Sequence, residues 1–255
     1  ELYKRIVFLR PLGLRLMKRQ TGAFALSLLP ILMWMAIQVV LVWGLGYMIT
    51  WLGNGISFLG GNPQDLYTFW EENPSYLINI LMDSLMLIPA GLWYRRLPAR
   101  EKARQGGFFG LSPLWLFLLP AAGLALQLLS GLYLRLVFAV FPEWLRYYTY
   151  VLENLGMTEP TFLPLLYTIV LAPVTEELIF RGLSLKILEM EFPFWAANIL
   201  QAFYFGTMHG NMVQGIYAFL SGMVLGYLVK RKGTLAAGIL CHFGVNLSGV
   251  LLGLL

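Results

Sequence analysis

One short apolar stretch of this sequence contains two carboxylates and a guanidinium. Glu176, Glu177 and Arg181 lie within residues 172–182, among side chains apolar enough to enter a membrane. Ionisable groups are costly inside a bilayer, so membrane segments that contain them usually serve a function. A carboxylate in such surroundings is suited to act as a general base toward a water molecule.

Two histidines add groups that can transfer protons. His209 and His242 are the only histidines of the chain, and both lie in apolar segments. Phe205 precedes His209 by four residues, and Asn246 follows His242 by four. Residues four apart share a helix face, so each segment presents a polar group on a defined face. Three helices could therefore converge on one polar pocket.

The spacing of the acidic and basic residues separates the roles of the two glutamates. Glu177 and Arg181 are four apart and can pair on a helix, whereas Glu176 points about 100° away around the helix axis. A pocket with these groups would suit hydrolysis of a peptide bond. Glu176 and a nearby imidazole would activate the water, and the other histidine with Asn246 would stabilise the oxyanion on the scissile carbonyl.

The three motifs resemble the signature of a known protease family. They occur in the order Glu176-Glu177-x-x-x-Arg181, Phe205-x-x-x-His209 and His242-x-x-x-Asn246. This order on late apolar helices is similar to that of the CAAX prenyl protease and bacteriocin-processing family (CPBP, or Abi) of intramembrane proteases. The resemblance covers roughly residues 168–250, and all three motifs match without a substitution.

The resemblance implies a role for each of these residues. Glu176 and His209 would activate the catalytic water, while His242 and Asn246 would form the oxyanion site. The residues that would support and shape the site are Glu177, Arg181 and Phe205. The same resemblance implies a helical membrane protein whose last third is the catalytic part.

Two other catalytic chemistries remain open at this point. The family has also been described as metalloprotease-like, and Glu176, His209 and His242 could bind zinc. We favour the metal-free mechanism and expect no cofactor, because the sequence has neither an H-E-x-x-H helix nor a cysteine cluster. A thiol mechanism would have to pair the single cysteine, Cys241, with His209, because adjacent residues do not share a helix face.

The composition is typical of a membrane protein. Of the 255 residues, 58% are hydrophobic and 12% are charged, and soluble domains contain about twice that charged fraction. The net charge is +5, but 14 of the 18 Lys and Arg residues fall in three short patches beside long apolar segments. This distribution argues against a nucleic-acid partner. We expect two partners, the lipid bilayer and a peptide or membrane-protein substrate; the sequence does not determine the oligomeric state.

The basic patches predict the topology. They lie at residues 2–19, 95–104 and 230–232. All three are on the cytoplasmic side if the chain crosses the membrane about seven times, and six or eight crossings remain open. We therefore expect an all-α polytopic transmembrane helix bundle with a cytoplasmic N-terminus. The high apolar content and short loops favour a bacterial plasma membrane.

The sequence divides into three parts by composition. Residues 1–22 form a basic amphipathic segment suited to an anionic leaflet, residues 23–160 a transmembrane scaffold, and residues 161–255 the catalytic core. The scaffold contains Asp83 within an apolar segment. Such a residue either contacts a substrate or proton, or makes a hydrogen bond between helices. In the polar stretch 142–160 we expect an external loop with a short interfacial helix at about residues 144–152.

The sequence thus predicts an intramembrane endopeptidase. Its substrate could be a prenylated C-terminal tail, a bacteriocin or pheromone leader, or a membrane-anchored protein. A non-catalytic peptide-binding or bacteriocin-immunity protein that uses the same pocket is the alternative. A third hypothesis is a transporter with a proton relay through Asp83 and Glu176. The protease mechanism requires Glu176 and His209 to meet, which either a helix break at Pro173 or a tilted, short helix would allow.

The topology can be tested by cysteine labelling in a Cys241→Ser background. A cysteine in place of Arg100 should react with a membrane-impermeant maleimide only when the cytoplasmic face is exposed, because residues 95–104 are basic. A cysteine in place of Asn62, in the acidic loop 53–73, should be labelled on intact cells. Labelling at position 100 from the external face alone would contradict the predicted orientation.

Overall fold

The computed structural model describes the chain as helices and connecting turns. The described residues are 2–72, 74–98, 111–154 and 162–253, with the backbone alone for residues 2–16, 71–72, 74–76, 151–154 and 163. Within these ranges every regular element is a helix and none is a strand. The predicted all-α fold class is therefore confirmed.

Five helices form the first part of the structure. They are α1 (Leu2–Phe58), α2 (Gln64–Glu72), α3 (Pro74–Arg96), α4 (Pro113–Val140) and α5 (Pro142–Asn154). The boundary predicted at residue 22 lies inside α1, which continues from the basic segment into the apolar one without a break. Helix α5 confirms the short helix predicted in the polar stretch.

Helix α2 was not predicted, since residues 53–73 were interpreted as a loop from their Gly, Asn and Pro content. Two local features explain why a helix forms there. The side chain of Asn62 accepts a hydrogen bond of 3.0 Å from the backbone N–H of Gln64, and Asp65 lies in the first turn. Both features stabilise a helix N-terminus, where backbone N–H groups lack partners.

The C-terminal part of the chain begins with one helical run of five consecutive elements. They are α6 (Phe162–Leu166), the π-helical turn π1 (Tyr167–Leu171), α7 (Ala172–Glu176), the π-helical segment π2 (Glu177–Ser184) and α8 (Leu185–Leu188). For residues 161–188 the sequence predicts either one helix or two helices separated by a break at Pro173. The structure has a single run, because the wider π turn before Pro173 accommodates a residue that has no N–H to donate.

Three further helices complete the chain. They are α9 (Phe194–Thr207), α10 (Met212–Lys232) and α11 (Leu235–Gly253). A short turn joins α9 to α10, and a second one joins α10 to α11. The three sequence motifs are thus distributed over the helical run 162–188, the end of α9 with the turn after it, and helix α11.

Among the described residues, five helices are long and apolar enough to cross a membrane. They are Met17–Phe58, Leu77–Arg96, Pro113–Val140, Met212–Lys232 and Leu235–Gly253. The predicted number of about seven is therefore not confirmed. Two predicted spans account for the difference. The run 162–188 is divided by its π segments, and α9 has only 14 residues, fewer than the roughly 20 of a spanning helix.

The described parts of the chain form two compact units. The first contains Glu1–Ile31, Ala90–Leu116 and Glu176–Ile239, and the second contains Leu32–Pro89, Phe117–Thr175 and Leu240–Leu255. Each unit takes segments from distant parts of the sequence. The division into residues 1–22, 23–160 and 161–255 remains a prediction.

In the first unit, α9 and α10 pack closely because glycines face each other. A Cβ atom at Gly206 would lie 2.6 Å from the carbonyl oxygen of Gly215. In the turn between the helices, Gly210 has a φ of +71°, a conformation that glycine adopts without strain. Asn211 then caps α10 by accepting a 2.7 Å hydrogen bond from the N–H of Gln214.

Ion pairs hold two of the basic patches at the same end of the first unit. Arg19, from the first patch, binds Glu191 at 2.8 Å. Lys230, from the third patch, binds Glu189 in the same turn after α8. The positive-inside rule requires these two patches to share a side of the membrane. Arg100, in the second patch, lies outside the described residues.

In the second unit, α1 and α3 are joined by a hydrogen bond to the buried Asp83. The indole Nε1 of Trp34 donates to Oδ1 of Asp83 at 2.9 Å. This contact is the hydrogen bond between helices that was one of the two interpretations of Asp83. Its position fits a structural role for the carboxylate.

Glycine also brings α4 and α11 into backbone contact. A Cβ atom at Gly123 would collide with the carbonyl oxygen of Cys241 and lie 2.6 Å from the backbone nitrogen of Val245. Such close approach through small residues is typical of helix pairs in membranes. It determines where α11, with His242 and Asn246, lies in this unit.

We expect Gly123→Ala to destabilise the protein. The added methyl group meets backbone atoms that cannot move aside, and overpacking of this kind typically costs about 1–3 kcal/mol. The matched control is Gly131→Ala in the same helix, where nothing lies within 4 Å of the added atom. Thermal unfolding in detergent should show a lower Tm for the first variant alone, and equal Tm values would contradict the contact.

Candidate active site

The first unit contains a buried ion pair in π2. Nη1 of Arg181 donates to Oε1 of Glu177 at 2.8 Å, and both side chains have 0% exposure. The pairing predicted from the four-residue spacing is therefore confirmed. A buried pair of charges must be stabilised by its surroundings, because removing two ions from water costs several kcal/mol each.

Aromatic rings supply part of this stabilisation. The guanidinium carbon of Arg181 lies 4.3 Å from the centre of the Phe205 ring and 5.9 Å from that of Phe180. The two rings meet edge to face at 5.2 Å. A cation over an aromatic face is attracted by the ring quadrupole, more strongly where water is excluded. Phe205 thus connects the ion pair to α9.

Glycines on the neighbouring helices make room for the pair. A Cβ atom at Gly222 of α10 would lie 3.1 Å from Nη2 of Arg181, and one at Gly238 of α11 would collide with Oε2 of Glu177. Helices α10 and α11 therefore approach the charged groups with their backbones. Larger residues at these two positions would displace the ion pair.

His209 follows α9 and contacts Phe205 in two ways. Its ring packs edge to face on the Phe205 ring at 4.9 Å, and its Nδ1 lies 2.8 Å from the carbonyl oxygen of Phe205. A carbonyl oxygen can only accept, so Nδ1 must donate its hydrogen. In the neutral ring the lone pair is then on Nε2. The contacts run continuously from Glu177 through Arg181 and Phe205 to His209.

Glu176 differs from its neighbour in its surroundings. It ends α7, directly before π2, and is partly exposed, whereas Glu177 is completely buried. Adjacent residues on a helix point in different directions, which explains the contrast. Glu176 and His209 both belong to the first unit.

The last motif belongs to the second unit. The side chain of His242 is 5% exposed, and Asn246 follows one helical turn later. Nδ2 of Asn246 donates to the carbonyl oxygen of Thr168, in π1, at 2.8 Å. An Asn amide nitrogen has two hydrogens, so this bond leaves one for another acceptor.

A buried polar pair on α9 was missed by the sequence analysis. Nε2 of Gln201 donates to Oδ1 of Asn198 at 2.8 Å and to the carbonyl oxygen of Gly222 at 3.0 Å. Nδ2 of Asn198 donates to the carbonyl oxygen of Met223 at 2.9 Å. These bonds tie α9 to α10 beside the ion pair. Their spacing from Phe205 on an apolar helix is a signal that could have identified them.

Zinc would require three or four protein ligands in one place. Among the residues that the structure describes, no three His, Cys, Asp or Glu side chains form a group that could hold a metal ion. The zinc alternative built from Glu176, His209 and His242 stays a prediction from the sequence.

We expect Glu177→Gln to destabilise the protein strongly. The substitution leaves the charge of Arg181 buried without its carboxylate, and breaking such a pair typically costs about 3–5 kcal/mol. The double variant Glu177→Leu with Arg181→Leu removes both charges and should recover part of the lost stability. Thermal unfolding of the three proteins measures the difference, and a single variant as stable as the unchanged protein would contradict the importance of the pair.

One protein family model matches the chain. It describes Rce1-like type II CAAX prenyl endopeptidases and matches residues 158–248, which include all three motifs. No curated protein and no solved structure matched significantly. The members of that family are prenyl endopeptidases, and the apolar helices of this chain indicate an integral membrane protein. Residues 158–248 thus match the CAAX prenyl endopeptidase family that the three motifs predicted.

Proposed function

We propose that this protein is an intramembrane endopeptidase in which Glu176 activates the attacking water. The observation that carries the proposal is the series of contacts from Glu177 through Arg181 and Phe205 to His209. These contacts hold π2 and the end of α9 in one arrangement. A pre-arranged base and acid are what the hydrolysis of an amide by water requires.

His209 is suited to exchange protons with the water. Its Nδ1 hydrogen is held by the Phe205 carbonyl oxygen, so the second ring nitrogen, Nε2, is the atom that takes or returns a proton. A fixed tautomer of this kind is typical of catalytic histidines, because the bond at one nitrogen sets the role of the other. Phe205 positions the His209 ring in two ways, through the edge-to-face contact of the two rings and through its backbone carbonyl oxygen.

The base in this proposal is Glu176 rather than Glu177. Glu177 is engaged with the Arg181 guanidinium and has no exposed surface. Glu176 is partly exposed, which supports it over the fully buried Glu177 as the carboxylate that contacts the attacking water. The ion pair next to it positions the helix and takes no part in the chemistry.

His242 and Asn246 would stabilise the oxyanion. Asn246 has one amide hydrogen beyond the one it gives to Thr168, and an imidazole N–H of His242 provides a second donor. The spacing of four residues places His242 and Asn246 on one face of α11.

The reaction then proceeds in two steps. Glu176 accepts a proton from water while the hydroxyl oxygen forms a bond to the scissile carbonyl carbon, and the carbonyl oxygen becomes the oxyanion bound by His242 and Asn246. The carbon–nitrogen bond next breaks as the proton, passed through Glu176 or His209, reaches the leaving amine. The products are a carboxylic acid and an amine, and the enzyme returns to its initial state.

The substrate class in this proposal is a membrane-associated peptide or protein. Such a chain can reach a site that lies among apolar helices without passing through water. We place the protein in a bacterial plasma membrane with its N-terminus in the cytoplasm, where prenylated tails are not expected. We therefore propose two substrate classes: the leader peptides of secreted or signalling peptides, and bacteriocins that the protein would cleave in an immunity role.

We expect Glu176→Gln to abolish cleavage while leaving the fold and peptide binding intact. The amide keeps the shape of the side chain but cannot accept the proton of water, so kcat should fall by about 10²–10⁴-fold. The measurement uses purified protein in proteoliposomes with internally quenched peptides. One peptide ends in a farnesylated Cys-aliphatic-aliphatic-X tail, and others have the same sequence without the lipid or a leader-type sequence.

The matched control is Glu143→Gln, which removes an exposed carboxylate of α5 and should leave cleavage unchanged. Cleavage at the original rate by Glu176→Gln would contradict the enzyme mechanism. Peptide binding by a protein that cleaves none of the probes, with a biological effect that does not depend on Glu176, would support the peptide-binding or immunity alternative.

A further inference from the structure

The carbonyl oxygen of Thr168 occupies an unusual position in the helical run. In π1 the backbone N–H of Ala172 donates to the carbonyl oxygen of Tyr167, five residues earlier, as is typical of a π turn. Continuing this pattern by one residue, the donor to the carbonyl of Thr168 would be the N–H of residue 173. That residue is Pro173, which has no N–H.

The amide of Asn246 takes the place of this missing donor. Its Nδ2 lies 2.8 Å from the carbonyl oxygen of Thr168. All three residues, Thr168, Pro173 and Asn246, belong to the second unit. Pro173 is buried, so water is a poor substitute for the side-chain donor at this position.

We infer that Pro173 is a positioning residue for Asn246. By leaving the Thr168 carbonyl without a backbone donor, Pro173 reserves that carbonyl for the Asn246 amide. The bond fixes which side of the amide is nitrogen, because a carbonyl oxygen can only accept. The inference rests on the proposed function, in which the second hydrogen of the same nitrogen is given to the oxyanion.

The position of Pro173 in the sequence makes this device effective. It lies three residues before Glu176, in the helical run that supplies the base. Within the second unit, the hydrogen bond from Asn246 therefore joins the first part of this run to α11. A substitution at residue 173 that restores the N–H should release Asn246 from this carbonyl.

The first test measures stability and needs no substrate. In the unchanged protein, Asn246→Ala leaves the Thr168 carbonyl without a donor and should lower Tm by about 2–4 °C. In a Pro173→Ala background the restored N–H can donate to that carbonyl, so the same substitution should lower Tm by less than half as much. Equal decreases in the two backgrounds would overturn the inference.

The second test measures cleavage of the same quenched peptides. Pro173→Ala should lower kcat about tenfold, less than the roughly 10²–10³-fold expected for complete loss of an oxyanion donor, and should leave KM within about twofold. In an Asn246→Ala background it should have no further effect, because both changes act through one amide. An unchanged kcat for Pro173→Ala, or independent effects of the two substitutions, would overturn the positioning role.

The matched control is Pro164→Ala in α6. Pro164 lies in the first turn of the run, where a backbone N–H has no intrahelical acceptor in any case. Its replacement should therefore change neither kcat nor the decrease in Tm that Asn246→Ala causes. If Pro173→Ala does not fold, Pro173→Ser restores the same N–H. Asn246→Asp keeps the side-chain shape without a donor, and an unchanged Tm for it would also overturn the inference.

The outcomes separate this inference from the proposed function. If Glu176→Gln cleaves normally, the proposed function fails, and the stability comparison still decides whether Pro173 directs Asn246. The inference alone fails if cleavage depends on Glu176 while Pro173→Ala and the unchanged protein have the same kcat and show the same decrease in Tm on Asn246→Ala.

Discussion

The first unit depends on the burial of two opposite charges, those of Glu177 and Arg181. The cost of removing both ions from water is offset only if their geometry is good and their other atoms are well surrounded. Phe205 supplies a ring face, and Gly222 and Gly238 let helix backbones come close. The positions of α9, α10 and the first turn of α11 all follow from this requirement.

A second constraint is the shortage of apolar driving force between helices in a lipid bilayer, where the surrounding chains are as apolar as the side chains. The protein meets it with close backbone contacts and a few buried hydrogen bonds. Gly206 packs against Gly215 in the first unit, and Gly123 packs against α11 in the second. Gln201 ties α9 to α10 by a hydrogen bond to a backbone carbonyl.

The two π segments connect these constraints to the chemistry. A π turn takes in one more residue than an α turn, so it changes the residues that share a face and leaves backbone groups without their usual partners; such turns are frequent at functional sites. In this protein π2 contains the ion pair and π1 exposes the carbonyl of Thr168 to Asn246. Glu176 lies between them, at the end of the short helix α7.

The sequence alone predicted the helical fold class, the membrane character, the resemblance of the last third to the CAAX prenyl endopeptidase family and the pairing of Glu177 with Arg181, because these depend on composition, on the three motifs and on the four-residue helix repeat. Helix α2, the π segments and the number of long apolar helices were not predictable in this way, since hydropathy cannot distinguish a spanning helix from a short or widened one. Tertiary structure decided the rest. The acceptor of Asn246 and the glycine spaces around the charges depend on contacts between residues distant in the chain, and no local pattern encodes those contacts.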